Sequence, residues 1–155
     1  MTDLDPVLAV VNEFWDAVFD LDLERVLATY SDDVSRTGSG DDWYRHGIDG
    51  ARKEWVDWIA NAPAKYTAFE WLEGPYGEVG DDWAWASGVG IQDYQIRDDG
   101  EVRRQHIRVC WVFRRNDAGE WKIKMDHWSR PMAEPYSPEN VVSKYQPTAK
   151  YRRGR

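Results

Sequence analysis

From Tyr66 to Ser129 apolar and polar residues alternate one by one, interrupted only by short runs rich in Gly, Pro, Asn and Asp. Period two marks half-buried strands, because successive side chains of a strand point to opposite faces. Four strands are predicted, over residues 66–72, 83–96, 102–114 and 121–129. Gly74-Pro75-Tyr76-Gly77, Asp98-Asp99-Gly100 and Asn116-Asp117-Ala118-Gly119 read as the turns between them. Connections this short force antiparallel pairing, since a parallel return needs a crossover of about a dozen residues or more. Gly88 and Gly90 inside the second strand are expected bend points for a curved sheet.

Before Tyr66 the period is helical. Asp5 followed by Pro6 reads as an N-cap with proline at the first helical position, and Val7, Val10, Val11, Phe14 and Val18 then share a face of a helix ending near Asp20. Asp22 caps a second helix carrying Leu23, Val26, Leu27 and Tyr30, which Ser31-Asp32-Asp33 stops. A strand over 34–37, a turn over 38–42 and a short strand over 43–46 follow. Asp49 caps a third helix with Ala51, Trp55, Trp58 and Ile59 on its apolar side. Helices first and a long antiparallel sheet last make an α+β fold, with three N-terminal helices packed on a strongly curved, mostly antiparallel sheet that forms a conical barrel around an internal pocket. The domain spans residues 1–135, and residues 136–155 are expected to be a basic tail, extended or mobile.

Ring content says what that sheet must bury. Ten Trp, eight Tyr and four Phe occur among 155 residues, in a chain whose mean hydropathy is −0.74. So much ring surface belongs in a core, an interface or a ligand cavity. No apolar run is long enough to span a bilayer, so no membrane partner is expected. Met1-Thr2-Asp3-Leu4-Asp5 shows no secretory signal, and a single cysteine, Cys110, can form neither an internal disulfide nor a thiolate zinc site, which fits a cytoplasmic protein. Net charge is −8, and the stretch from Lys144 to Arg155 is basic, leaving about −13 on the body. An acidic body repels phosphate backbones, so no nucleic-acid partner is expected.

Several strings, in order, resemble the nuclear-transport-factor-2-like superfamily and its SnoaL-like branch. Residues 23–34, from Leu23-Glu24-Arg25 to Asp32-Asp33-Val34, are similar to that family's second helix leading into its first strand. Residues 79–88, with Gly80-Asp81-Asp82-Trp83 at their start, are similar to the beginning of its fourth strand. Residues 113–123 and then Met125-Asp126-His127-Trp128-Ser129-Arg130-Pro131 are similar to its closing hairpin. The resemblance covers roughly residues 5 to 131 and implies a cone with a pocket between the concave sheet face and the helices, in a homodimer formed through the outer face. It does not fix an activity, because the superfamily includes isomerases, dehydratases, cyclases, epoxide hydrolases and plain binding domains. Steroid isomerases of the superfamily align without gaps over the helical region. Their oxyanion-hole tyrosine falls at Phe14, their base aspartate at Gly38 and their protonated aspartate near Trp111. Those groups are missing, and enolisation by that apparatus is not expected.

Alternation selects the pocket residues. Ile107, Val109, Trp111 and Phe113 form the inward face of their strand, and Trp85, Ser87, Val89 and Ile91 that of the strand before, whose small face of Ala84, Ala86, Gly88 and Gly90 suits a dimer contact. In the last strand apolarity turns Trp121, Ile123, Met125 and His127 inward, whereas hairpin register turns Lys124, Asp126 and Trp128 inward. One of Asp126 and His127 therefore reaches the cavity and moves a proton, an aspartate there being tuned by desolvation. Arg36 shares the inward face with Val34 and either orients a ligand oxygen or pairs with Asp93, Glu54 or Asp126. Phe14, Trp55, Trp85, Trp111 and Trp128 are the candidate ring-binding residues. Three scattered histidines show no metal-ligand spacing, so no metal and no cofactor are expected. The expected function is cofactor-independent acid–base catalysis on a small aromatic or polyketide-like molecule by a dehydratase, isomerase, cyclase or retro-aldol-type lyase. The alternative is a non-catalytic module that binds a hydrophobic ligand or dimerises.

Overall fold

The structure, a computed structural model, describes residues 4–38, 44–130 and 152–154. The turn readings at Asp41-Asp42, the start of the strand at Trp43 and most of the basic tail lie outside the described residues. Helix α1 (Asp5–Asp20) begins one residue earlier than the Asp-Pro pair suggests, with Leu4 at the N-cap. Leu4 is buried in the core, and its anchoring there places Asp5 inside the first turn, where its carboxylate faces the positive end of the helix. Leu21 closes α1 in the left-handed conformation, and Asp22 caps α2 (Leu23–Ala28) by accepting from the Arg25 N–H at 3.1 Å. Helix α3 (Gly47–Asn61) follows two short sheet elements, β1 (Tyr30–Thr37) and β2 (Tyr44–His46).

The sheet is completed by β3 (Ala64–Val79), β4 (Trp83–Ile96), β5 (Val102–Arg115), β6 (Trp121–Ser129) and β7 (Arg152–Gly154), in the order β2-β1-β6-β5-β4-β3-β7. It is open, with β2 and β7 at its edges, and antiparallel except where β1 runs parallel to β6. That parallel pairing lengthens β1 beyond the predicted 34–37. The Ile123 N–H donates to the Thr29 carbonyl at 2.8 Å, so the acidic run read as a stop is recruited into the ladder.

Strand β3 also overruns its prediction. Glu73 pairs with Val89 and Tyr76 with Ser87, so Gly74 and Pro75 oppose Gly88 alone as a bulge within the strand. The chain reverses later, where the Gly80 N–H donates to the Trp83 carbonyl at 2.8 Å. A bulge can absorb a residue without an N–H, and β7 covers β3 only at residues 68–70, well short of the proline.

Helix α1 lies against one face of the sheet. Val7, Val11, Phe14, Trp15 and Val18 meet Ile107, Val109, Trp111, Phe113 and Ile123 in one core. The structure reverses the expected faces of β4. Ala86 pairs with Trp111, Ala84 with Phe113, Gly88 with Val109 and Gly90 with Ile107, and directly opposed residues share a face. The small residues of β4 therefore point into the core and are not a dimer surface, while Trp85 stands half-buried on the other side. Their smallness makes room for rings of β3: a Cβ on Gly90 would run into Phe69, and one on Gly88 into the Glu73 carbonyl and Trp71.

Strand β6 satisfies both readings, each over half its length. Phe113 pairs with Ile123 but Val112 with Met125, so Lys124 is an extra residue. Before the bulge Trp121 and Ile123 are buried, and after it Asp126 is buried while His127 is exposed. Lys124 turns out to Asp33, donating to its backbone carbonyl at 3.0 Å and pairing with its carboxylate. No helix among the described residues is long and apolar enough to cross a membrane.

Candidate ligand-binding site

Between α1, α3 and the sheet lies a cavity of about 330 Å³, whose wall includes Phe14, Trp55, Trp58, Tyr66 and Trp128. The rings meet mainly edge to face, the arrangement favoured by their quadrupoles: Phe14 to Trp55 at 5.8 Å and 69°, Trp55 to Trp58 at 5.3 Å and 81°. Trp58 stacks on Tyr66 at 5.1 Å, tying α3 to β3. Phe14, Trp55 and Trp128, three of the expected ring-binding residues, are in this wall. Trp85 does not, because β4 turns it outward. Trp111 does not reach the wall either. It is fully buried beneath Trp128, 5.5 Å away at 85°, because α1 and the rings of β3 close over it.

Arg36 lines the cavity and is the centre of its polar network. It pairs in register with Asp126 across the β1–β6 ladder, and its Nε donates to both carboxylate oxygens, at 3.1 and 3.0 Å. The Tyr30 hydroxyl donates to Asp126 Oδ2 at 3.0 Å and accepts from Trp55 Nε1 at 3.3 Å. Arg36 Nη1 donates to Glu54 Oε2 at 2.9 Å from α3. Of the three carboxylates weighed as partners of Arg36, two are therefore used, and the third, Asp93, pairs with Arg104. The guanidinium also lies over the rings of Tyr30 and Trp55, 5.2 and 5.0 Å from their centres.

Burial penalises the charge on Arg36, but Asp126, Tyr30 and Glu54 outweigh it and hold the guanidinium above its ordinary pKa. Burial pushes the Tyr30 phenol well above its usual value, against the pull of Arg36. Asp126 is wholly buried and stands behind Arg36, outside the cavity wall, while Glu54 is in the wall and partly exposed. His127 lies on the other face, where its Nδ1 meets Thr37 Oγ1 at 2.8 Å. Among the described residues no group of three His, Cys, Asp or Glu side chains could hold a metal ion.

Several residues of the site were not foreseen. Tyr30 was read as a helix residue, although two-residue steps from Arg36 through Val34 lead to it once β1 is known to start there. Gln92 is 1% exposed and accepts from Gln105 Nε2 at 3.0 Å, but its own Nε2 has no hydrogen-bond partner among the described residues. The indole nitrogens of Trp15 and Trp128 are likewise buried and unpartnered, and all three residues are in the cavity wall. A buried donor left unmade costs about 1–3 kcal/mol unless water or a ligand meets it. Trp128 was expected in the wall as a ring, but nothing in the sequence marks the unspent donor of any of the three.

The chain belongs to the SnoaL-like domain family, whose model matches residues 7–134. A ketosteroid isomerase-like protein from Erwinia carotovora atroseptica has a similar structure, with a TM-score of 0.70 at 18% identity over 84% of this chain and 97% of that one. A nuclear transport factor 2 superfamily protein from Salmonella enterica serovar Typhimurium gives 0.68 at 16% identity, over 84% and 92%. An NTF2-like protein of unknown function from Pseudomonas putida gives 0.68 at 18%, over 94% and 92%. Such identities establish the fold alone. No curated protein matches the sequence.

Proposed function

We propose that the chain is a small-molecule enzyme of isomerase or lyase type, using acid–base chemistry on a ring compound that carries a carbonyl. The observation that carries the reading is Arg36 in the wall of a ring-lined cavity with the Glu54 carboxylate 2.9 Å from its Nη1. A guanidinium fixed by Asp126 is a preorganised donor for an oxygen on which negative charge develops. Glu54 would take the proton from the carbon next to that carbonyl. Its return to another carbon would isomerise the substrate, and loss of a leaving group would make the reaction an elimination. In this scheme Asp126 is a positioning residue acting through Arg36, and Phe14, Trp55 and Trp128 hold the ring. The proposal includes a homodimer formed through the outer sheet face, where Trp85 stands, and light scattering reads the mass.

A second reading, a binding module without turnover, is favoured by one contact: Glu54 already spends its carboxylate on Arg36. Deuterium exchange into 2-tetralone, a bicyclic ketone, separates the two. Enzyme-catalysed exchange above the buffer rate, lost at least about 100-fold in Glu54→Gln while calorimetric affinity holds, is the result expected of acid–base catalysis. Binding without added exchange selects the module, and exchange unchanged by Glu54→Gln removes Glu54 from the mechanism.

A further inference from the structure

The polar groups of the cavity wall are mostly donors. Three guanidiniums, those of Arg36, Arg45 and Arg130, stand there against one carboxylate, Glu54, among the described residues. Arg36 and Arg45 are register partners in the β1–β2 ladder, and the charge of Arg36 is already answered by Asp126 and Glu54. The positive charge of Arg130 draws the Tyr66 phenol down against the larger upward push of burial.

The unspent neutral donors gather on that side. Trp15 touches Trp128 at 5.2 Å and Tyr66 at 6.1 Å, and it stacks at 4.6 Å on Phe69, the register partner of Gln92. Trp15 Nε1, Trp128 Nε1 and Gln92 Nε2 are buried nitrogens with no hydrogen-bond partner among the described residues, as are the indole nitrogens of Trp111 and Trp121, but only the first three belong to residues of the cavity wall. Turning over the amides of Gln92 and Gln105 together would exchange one free amide atom for the other, but the two indole N–H groups can only donate. Buried donors without protein partners, carried by residues of a wall that also holds a guanidinium, are places for acceptor atoms of a ligand.

We propose that the cavity binds an aromatic carboxylate. Its ring lies among Phe14, Trp55 and Trp58, and its carboxylate is received by Arg130 with the N–H groups of Gln92 and Trp128. This rests on the ligand-binding part of the function proposed above and adds the charge and size of the ligand. At about 330 Å³ the cavity is at the small end for small-molecule sites, which limits the ligand to one or two rings. Anchoring a remote carboxylate would present the other end of the molecule to Arg36 and Glu54, an orientation that a neutral ring alone does not impose.

Calorimetric titration of the full chain with 2-naphthoate and with 2-naphthamide, its neutral counterpart of the same shape, tests this. The expected result is naphthoate tighter by roughly tenfold or more. Arg130→Gln and Gln92→Leu should each lower the ratio of the two affinities severalfold, and a thermal melt of each variant certifies that it is folded. Equal or tighter binding of naphthamide overturns the proposal while leaving a ring-binding cavity intact. A naphthoate preference that survives both substitutions overturns it as well, because the anion is then held elsewhere. Binding of neither compound refutes the ligand-binding reading itself, so the two failures are distinguishable.

Discussion

Replacing Asp126 with leucine takes away the buried carboxylate that Arg36 faces across the β1–β6 ladder. Both Asp126 oxygens accept from Arg36 Nε, and one also accepts from the Tyr30 hydroxyl. Breaking one side of a buried pair strands the other charge, at a cost of about 3–5 kcal/mol. Glu54 still holds Arg36 Nη1, but its carboxylate is partly exposed and screened, so the lower end, about 3 kcal/mol, is expected. For a domain of this size that lowers Tm by roughly 6–12 °C. Urea unfolding should show the midpoint falling at constant slope, since the area exposed on unfolding hardly changes. Arg36→Met on the same background removes the stranded charge, and the double variant should recover about 2 kcal/mol or more relative to additivity. Asp126→Asn keeps an acceptor for Tyr30 and should lie between. An Asp126→Leu protein within about 0.5 kcal/mol of the parent would refute the reasoning, because the pair would then not be the support of Arg36.

Trp111→Ala empties a fully buried site and should cost about 3–5 kcal/mol, whereas Trp85→Ala on the outer face should cost no more than about 1 kcal/mol; similar urea midpoints would mean that the faces of β4 are assigned wrongly. Tyr30 is held neutral in the folded protein by burial, so its pKa lies above the ordinary value of 10.0. The folded state therefore keeps that proton longer than the unfolded chain does, and stability present below pH 10 is lost as pH rises through the folded pKa. Melts between pH 9 and 12 should steepen downward, and Tyr30→Phe should flatten part of the fall, the remainder belonging to Tyr66, which burial also raises. An unchanged alkaline profile in Tyr30→Phe would contradict this.

The strands over 83–96 and 121–129 were legible to the residue, because alternation and the turns at 98–100 and 116–119 are information carried by neighbours in sequence. Strand β3 was cut short at Gly74-Pro75 because a bulge and a turn use the same residue types, and only the partner strand β4 distinguishes them. Arg36 was legible as an inward-facing cation that needs either a ligand oxygen or a carboxylate partner, while the choice among Asp93, Glu54 and Asp126 was not. Those residues lie 57, 18 and 90 positions from it in sequence, and chain distance says nothing about which approaches.

By itself the sequence determined the α+β order of elements, the antiparallel sheet, the resemblance to the SnoaL-like family and the demand that many rings be buried. These follow from period, turn chemistry and composition, which are local properties or sums. Tertiary structure alone decided which side of each strand faces the cavity. Alternation defines two faces but not which one is inward, and a single bulge at Lys124 exchanges them within β6. Thus Asp126 came to lie behind Arg36, Trp85 turned outward, and Gln92 and Trp128 were left with unspent donors beside the cavity, because facing is fixed by what packs across the sheet and not by the residue's own neighbours.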